Sequence, residues 1–104
     1  MRIRRARFGD VIQCQLDLFE REQRGLIDDC REAERAYFAA PRDEAEERYG
    51  DYLDLVETGT EVLADLRDNF ASTLDEPTAM EYEITFNRSV AKRFRRFALE
   101  IEEH

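Results

Sequence analysis

Few residues in this chain are of a type that could do covalent chemistry. Its single histidine is the last residue, His104, so neither a histidine base nor a Glu-x-x-His di-iron pair can be built inside a helical core. Ser72 and Ser89 stand in no nucleophile-elbow context, and no glycine-rich phosphate loop is present. Cys14 and Cys30 lack a histidine partner and fall 16 positions apart on one predicted helix. A rise of about 1.5 Å per residue puts them roughly 24 Å apart, too far for a bridge within the chain. With no disulfide framework and no CxxC pair, a reducing, cytoplasmic setting is expected. Carboxylates are abundant, but nothing in their spacing places two in one pocket. The chain therefore reads as a non-enzyme with no cofactor, no metal and no evident small-molecule substrate.

Charged surfaces offer more. Arg88, Lys92, Arg93, Arg95 and Arg96 lie on one side of the third predicted helix, opposite Phe86, Val90, Phe94 and Phe97. Such a helix can dock on an acidic partner, a nucleic acid or an anionic membrane. Alternatively, its phenylalanines fill the protein's own core while its arginines face the acidic second helix or solvent. Arg2, Arg4, Arg5 and Arg7 form a basic arm over residues 1–9, before the first helix start. Arms of this kind can grip phosphates. The net charge of −9 opposes nucleic acid at long range, and no nucleic-acid-binding motif follows. Nucleic acid and membrane surfaces are accordingly the lesser alternatives. The acid stripe of the second helix, from Asp43 to Asp68, reads as a solvated face, because a convex row does not converge on a cation.

One apolar feature points to a partner. Val11, Cys14, Leu18 and Gly25 run along the back of the first helix, away from its main seam. A second stripe needs a second neighbour, either the third helix or another subunit, and Gly25 would let that neighbour approach closely.

These surfaces are positioned by three helical segments. The 104 residues suit one domain, and only four glycines and two prolines interrupt them. Charged residues reach 39%, and mean hydropathy is −0.70. No apolar run is long enough to cross a bilayer, and the basic start lacks the apolar stretch of a signal peptide. Asp10, Asp43 and Thr78 read as N-caps, the last in a Thr-x-x-Glu capping box, and Pro41 and Pro77 stand just before two of these starts. The spacing predicts helices over about 10–39, 43–74 and 78–102. Tyr82, Ile84 and Phe86 alternate as a short strand does, but the four-and-three step from Tyr82 to Ile101 favours helix.

In the first helix Ile12, Leu16, Phe19, Gln23, Leu26, Cys30, Ala33 and Tyr37 form a heptad seam, and in the second Tyr49, Tyr52, Val56, Gly59, Leu63, Leu66 and Phe70 do. The predicted core comprises Ile12, Leu16, Phe19, Leu26, Tyr37, Tyr52, Val56, Leu63, Leu66, Phe70, Phe86, Val90, Phe94 and Phe97. Gly59, between two threonines, marks either a close approach or a kink, with the kink favoured. Asp17–Arg21 and Glu20–Arg24 are expected as exposed i,i+4 pairs.

The expected fold is all-α: a long antiparallel hairpin with a third helix packed along it, a coiled-coil-like three-helix bundle. The expected function is a helical protein–protein interaction module that self-associates or pairs with a protein partner. The alternative is a small regulator that engages an anionic surface through the arginine arm and basic helix.

Overall fold

A computed structural model describes residues 7–104. These residues are all-helical, with no strand among them. Five α-helices follow in order: α1 (Gly9–Glu22), α2 (Arg24–Ala39), α3 (Ala45–Ala71), α4 (Glu76–Arg93) and α5 (Ala98–Glu103). Single 3-10 turns precede α3 (Arg42–Glu44) and α5 (Arg95–Phe97). Residues 80–86, which alternate like a strand, lie inside α4.

Two predicted helices are broken. The first is interrupted at Gln23, whose backbone leaves the helical region at φ −110°, ψ 28°. The ladder is barely disturbed, since the Gln23 N–H still donates to the Phe19 carbonyl at 2.8 Å and the Ile27 N–H to the Gln23 carbonyl at 2.9 Å. The consequence lies in the phase. Past the break Ile27 and Cys30 are buried, while Leu26, the predicted seam residue, is half-buried. The third helix breaks at Phe94, at φ −129°, ψ 72°. No glycine or proline causes this break, so local propensity does not explain it; the contacts that follow it do.

The predicted caps also move. Phe8, Glu44 and Asp75 occupy the cap positions, none with a side-chain cap bond, and Asp10, Asp43 and Thr78 fall one to three residues away. Pro77 sits in the first turn of α4, where its missing N–H costs nothing.

The core runs through Ile12, Leu16 and Phe19 of α1, Val56 and Leu63 of α3, Tyr82, Phe86 and Val90 of α4, then Phe97 and Ile101. Leu26, Tyr37, Tyr52, Leu66, Phe70 and Phe94, all predicted to be core, are only half-buried. Phe8, Ile27, Cys30, Ala64, Ala71, Tyr82 and Ile101 are the apolar residues that join it instead.

Gly59 does not interrupt α3, which runs unbroken from Ala45 to Ala71. Its bare backbone receives the Phe97 ring instead: a Cβ there would lie 2.6 Å from Phe97 Cε1 and 2.8 Å from Cζ. The kink reading is therefore replaced by close approach. Phe97 also meets Phe19 edge-on, with centroids 5.8 Å apart, so the residues after the Phe94 break tie α1 to α3.

The buried polar side chains find partners: the Thr60 hydroxyl donates to the Val56 carbonyl at 2.8 Å. Arg67, 4% exposed, donates to Asp68 Oδ1 at 2.8 Å, Asn87 Oδ1 at 3.0 Å and the Ile101 carbonyl at 3.1 Å. It thereby joins α3 to α4 and satisfies a carbonyl near the end of α5. The Tyr82 hydroxyl donates to Gln15 Oε1 at 2.8 Å. Burial pushes the Tyr82 phenol up to about 12, against a smaller opposing effect from that hydrogen bond.

Two outcomes test this packing. Gly59→Ala should lower stability by about 1 kcal/mol, because overpacking against a buried ring outweighs the gain in helix propensity. Gly50→Ala, which meets no atom within 4 Å, should raise it by about 0.5–1 kcal/mol; urea unfolding of both variants checks the opposite signs. Tyr82 ionises later in the folded than in the unfolded chain, so its contribution is intact below pH about 10 and fades as pH climbs from 10 toward 12. A spectrophotometric tyrosine titration should show one phenol ionising last, near pH 12, and Tyr82→Phe should remove that step.

Candidate functional site

The residues that could meet a partner gather along one side of the α2–α3 pair. These two helices share the most extensive contact in the fold. Tyr37 stacks against Tyr49 at 5.1 Å while Leu26 lies beside Gly59, so the helices run in opposite directions. The molecule measures 52 × 23 × 22 Å, and the far end of this pair extends beyond the other helices. From Arg31 to Leu55 no residue is buried. Phe38 is 76% exposed, Tyr49 44% and Leu53 37%. Aromatic contacts link Phe38 to Tyr37 at 5.4 Å and Tyr49 to Tyr52 at 6.3 Å. Heptad spacing placed Tyr37, Tyr49 and Tyr52 on a core seam, and they do face one another. A two-helix end offers no third layer to cover them. Phe38, beside the seam, carried no sequence signal.

Next to this aromatic end lies a cleft of about 540 Å³ between α1–α2, α3 and the residues after the Phe94 break. Glu20, Glu34, Tyr52, Arg93, Arg95 and Arg96 line it, and Arg31 and Lys92 add further cations. Three of its arginines are committed within the chain, Arg31 to the exposed Asp28 at 3.3 Å. Arg93 donates to Asp17 Oδ1 at 2.6 Å, Glu20 Oε1 at 2.8 Å and Gln13 Oε1 at 3.1 Å. Hydrogen bonds to Glu20 and then Asp17 hold its guanidinium above the ordinary arginine range. Asp17 and Glu20 are thus engaged by Arg93, and neither predicted i,i+4 pair with Arg21 or Arg24 forms. Arg96 pairs with Glu34 at 3.5 Å and lies over the Tyr52 ring at 5.7 Å. The basic segment therefore faces acids of the first predicted helix, rather than of the second. Arg88, Lys92 and Arg95 are exposed, with no acidic partner among the described residues.

The cleft supplies charge and shape rather than a reacting pair. Cys30, buried behind it, has its thiol pushed up, mainly by burial and against the pull of Arg96; a protonated, enclosed thiol is a poor nucleophile. Burial likewise raises the Tyr52 phenol, again against Arg96. Among the described residues no three acidic, cysteine or histidine side chains converge as a cation site. No helix there is long and apolar enough to cross a membrane.

The other predicted surfaces lie away from this end. Of the stripe along the back of the first helix, Val11 is half-buried against the core and Leu18 is half-buried, whereas Cys14 and Gly25 are exposed. Gly25 meets no atom within 4 Å, so none of the described residues uses the close approach it permits. In the basic arm, Arg7 pairs with Glu81 at 3.3 Å and lies over the Phe8 ring at 5.3 Å. Arg2, Arg4 and Arg5 lie outside the described residues. Arg67, to which residue spacing assigns no role, is a buried structural tie.

No protein-family model matches the chain, and comparisons with curated proteins and with solved structures find no match.

Arg93 sets the position of the segment that closes the cleft. Arg93→Gln should cost about 1 kcal/mol at low ionic strength, and the loss should shrink in 1 M salt because its carboxylate partners Asp17 and Glu20 remain 60% and 42% exposed. Urea unfolding at both salt concentrations checks this.

Proposed function

We propose that this protein is a non-enzymatic helical interaction module, built on a long antiparallel hairpin with coiled-coil-like seams, and that it self-associates through its apolar surface. The observation that carries the reading is the aromatic end of the α2–α3 pair. Over residues 31–55 the two helices bury no residue, yet present Phe38, Tyr49 and Leu53 to solvent. Exposed apolar residues clustered in this way mark association sites, since a monomer gains nothing by leaving them wet. Two half-built helix pairs can complete each other's core. The two free cysteines, one exposed and one buried, suit a reducing cytoplasmic setting.

A second reading is favoured by Arg88, Lys92 and Arg95. These exposed cations have no acidic partner among the described residues, and they could engage an anionic surface. Its weight is reduced because Arg93 and Arg96 are held by acids of the same chain.

Light scattering on a sizing column under reducing conditions separates the two. The purified chain should elute at twice its 12.3 kDa mass or more. A monomer at several hundred micromolar, retained on heparin or anionic vesicles at low salt and released as salt rises, would favour the second reading.

A further inference from the structure

We infer that the partner at the aromatic end is a second copy of the same end, docked in a two-fold antiparallel arrangement. Each copy's acidic tip then lies over the other copy's basic cleft. The inference rests on the self-association reading and specifies its geometry.

The charges along this side of the molecule are separated end from end. At the tip, residues 42–47 hold Asp43, Glu44, Glu46 and Glu47 against Arg42 alone. Of these acids only Glu44 makes an ion pair among the described residues, with Arg48 at 3.5 Å. At the inner end the cleft carries Arg31, Lys92, Arg95 and Arg96; Arg31 pairs with the exposed Asp28 at 3.3 Å and Arg96 with Glu34, while Lys92 and Arg95 lack an acidic partner among the described residues. Between them lie Phe38, Tyr49 and Leu53, the exposed apolar residues of the pair. The order along the pair is therefore acidic tip, apolar middle, basic cleft.

A two-fold axis through the middle satisfies this order. Tyr37 and Tyr49 are level, with rings 5.1 Å apart. From that rung Asp43 lies six residues toward the tip and Arg31 six residues toward the cleft. Each displacement is about 9 Å at 1.5 Å per residue. Rotation about the rung therefore brings one copy's Asp43 level with the other's Arg31, beside the cleft that Lys92 and Arg95 line. Glu46, one turn before Tyr49, falls on the same side of α3 as the aromatic surface. An isologous contact makes each such pairing twice. The apolar middle is closed in the same step, as α2 and α3 of the two copies form four helices around Phe38, Tyr49 and Leu53. A head-to-tail contact would leave one acidic tip and one basic cleft unused and would propagate rather than close.

Sedimentation equilibrium under reducing conditions tests the arrangement. Phe38→Asp and Leu53→Asp should each weaken the dimer at least about tenfold, while Ile84→Asp and Leu99→Asp, also apolar and exposed but on α4 and α5, should leave it unchanged. Reversing the tip (Glu46→Arg with Glu47→Arg) or the cleft (Lys92→Glu with Arg95→Glu) should weaken it, and combining both reversals should restore it. All these positions are exposed, and unchanged helicity and urea midpoint establish that each variant folds. A dimer insensitive to the tip substitutions, or one that the combined reversal fails to restore, overturns this geometry while leaving self-association intact. A wild-type chain that is monomeric throughout overturns the self-association reading itself, and this inference with it.

Discussion

The fold depends on one notch. At Gly59 the backbone of α3 lies bare in the interior, and the Phe97 ring fills the space a side chain would take. To arrive there the chain must leave the helix at Phe94 and turn through residues 95–97. Neither glycine nor proline marks that departure. What favours it is the set of contacts it permits: Phe94 against Phe19 at 5.3 Å, Phe97 against the same ring, and Ile101 fully buried. An unbroken helix would carry these residues along a straight line past α3. Burying the Phe97 ring and Ile101 and half-burying Phe94 is worth several kcal/mol, more than the hydrogen bonds perturbed at one irregular residue.

Electrostatics follow from the same break. Arg93, the last residue of α4, reaches Asp17 and Glu20 of α1, and Arg96, just beyond it, reaches Glu34 of α2. The basic segment is thereby divided into cations that hold the molecule together and cations that remain on its rim. Arg67 solves the opposite problem. A guanidinium with almost no solvent contact is tolerable only when its N–H groups find acceptors, and here it has a carboxylate, an amide oxygen and a backbone carbonyl. No buried side-chain polar atom is left without a partner among the described residues.

The same economy leaves the far end of the α2–α3 pair unfinished. The core is closed where α1, α4 and the α5 region cover the two long helices, and it stops at Cys30 and Val56. Beyond that point the seam continues in sequence but has only two helices to build it. Two helices can cover one side of each aromatic ring and not the other, which is why Tyr37, Tyr49 and Tyr52 face each other and are still wet. The acidic residues of α3 that point the other way stay in solvent throughout, from Glu47 to Asp68.

Periodicity determined that the described chain is helical, roughly where its long helices lie, and which residues form the centre of the core. Ile12, Leu16, Phe19, Val56, Leu63, Phe86, Val90 and Phe97 repeat at steps of three and four, and that spacing alone puts them on common faces. Other features belonged to the tertiary structure because each depends on a neighbour distant in sequence. The break at Phe94 exists for Gly59 and Phe19, and Arg67 is buried because Asn87 and the Ile101 carbonyl receive it. Asp17 and Glu20 ignore the arginines one turn away because Arg93 satisfies both from another helix. A heptad pattern records that a residue wants a partner face, but it does not record how far along the helix a third element extends. Only the packed structure decided that coverage ends near Cys30, leaving Phe38, Tyr49 and Leu53 as surface.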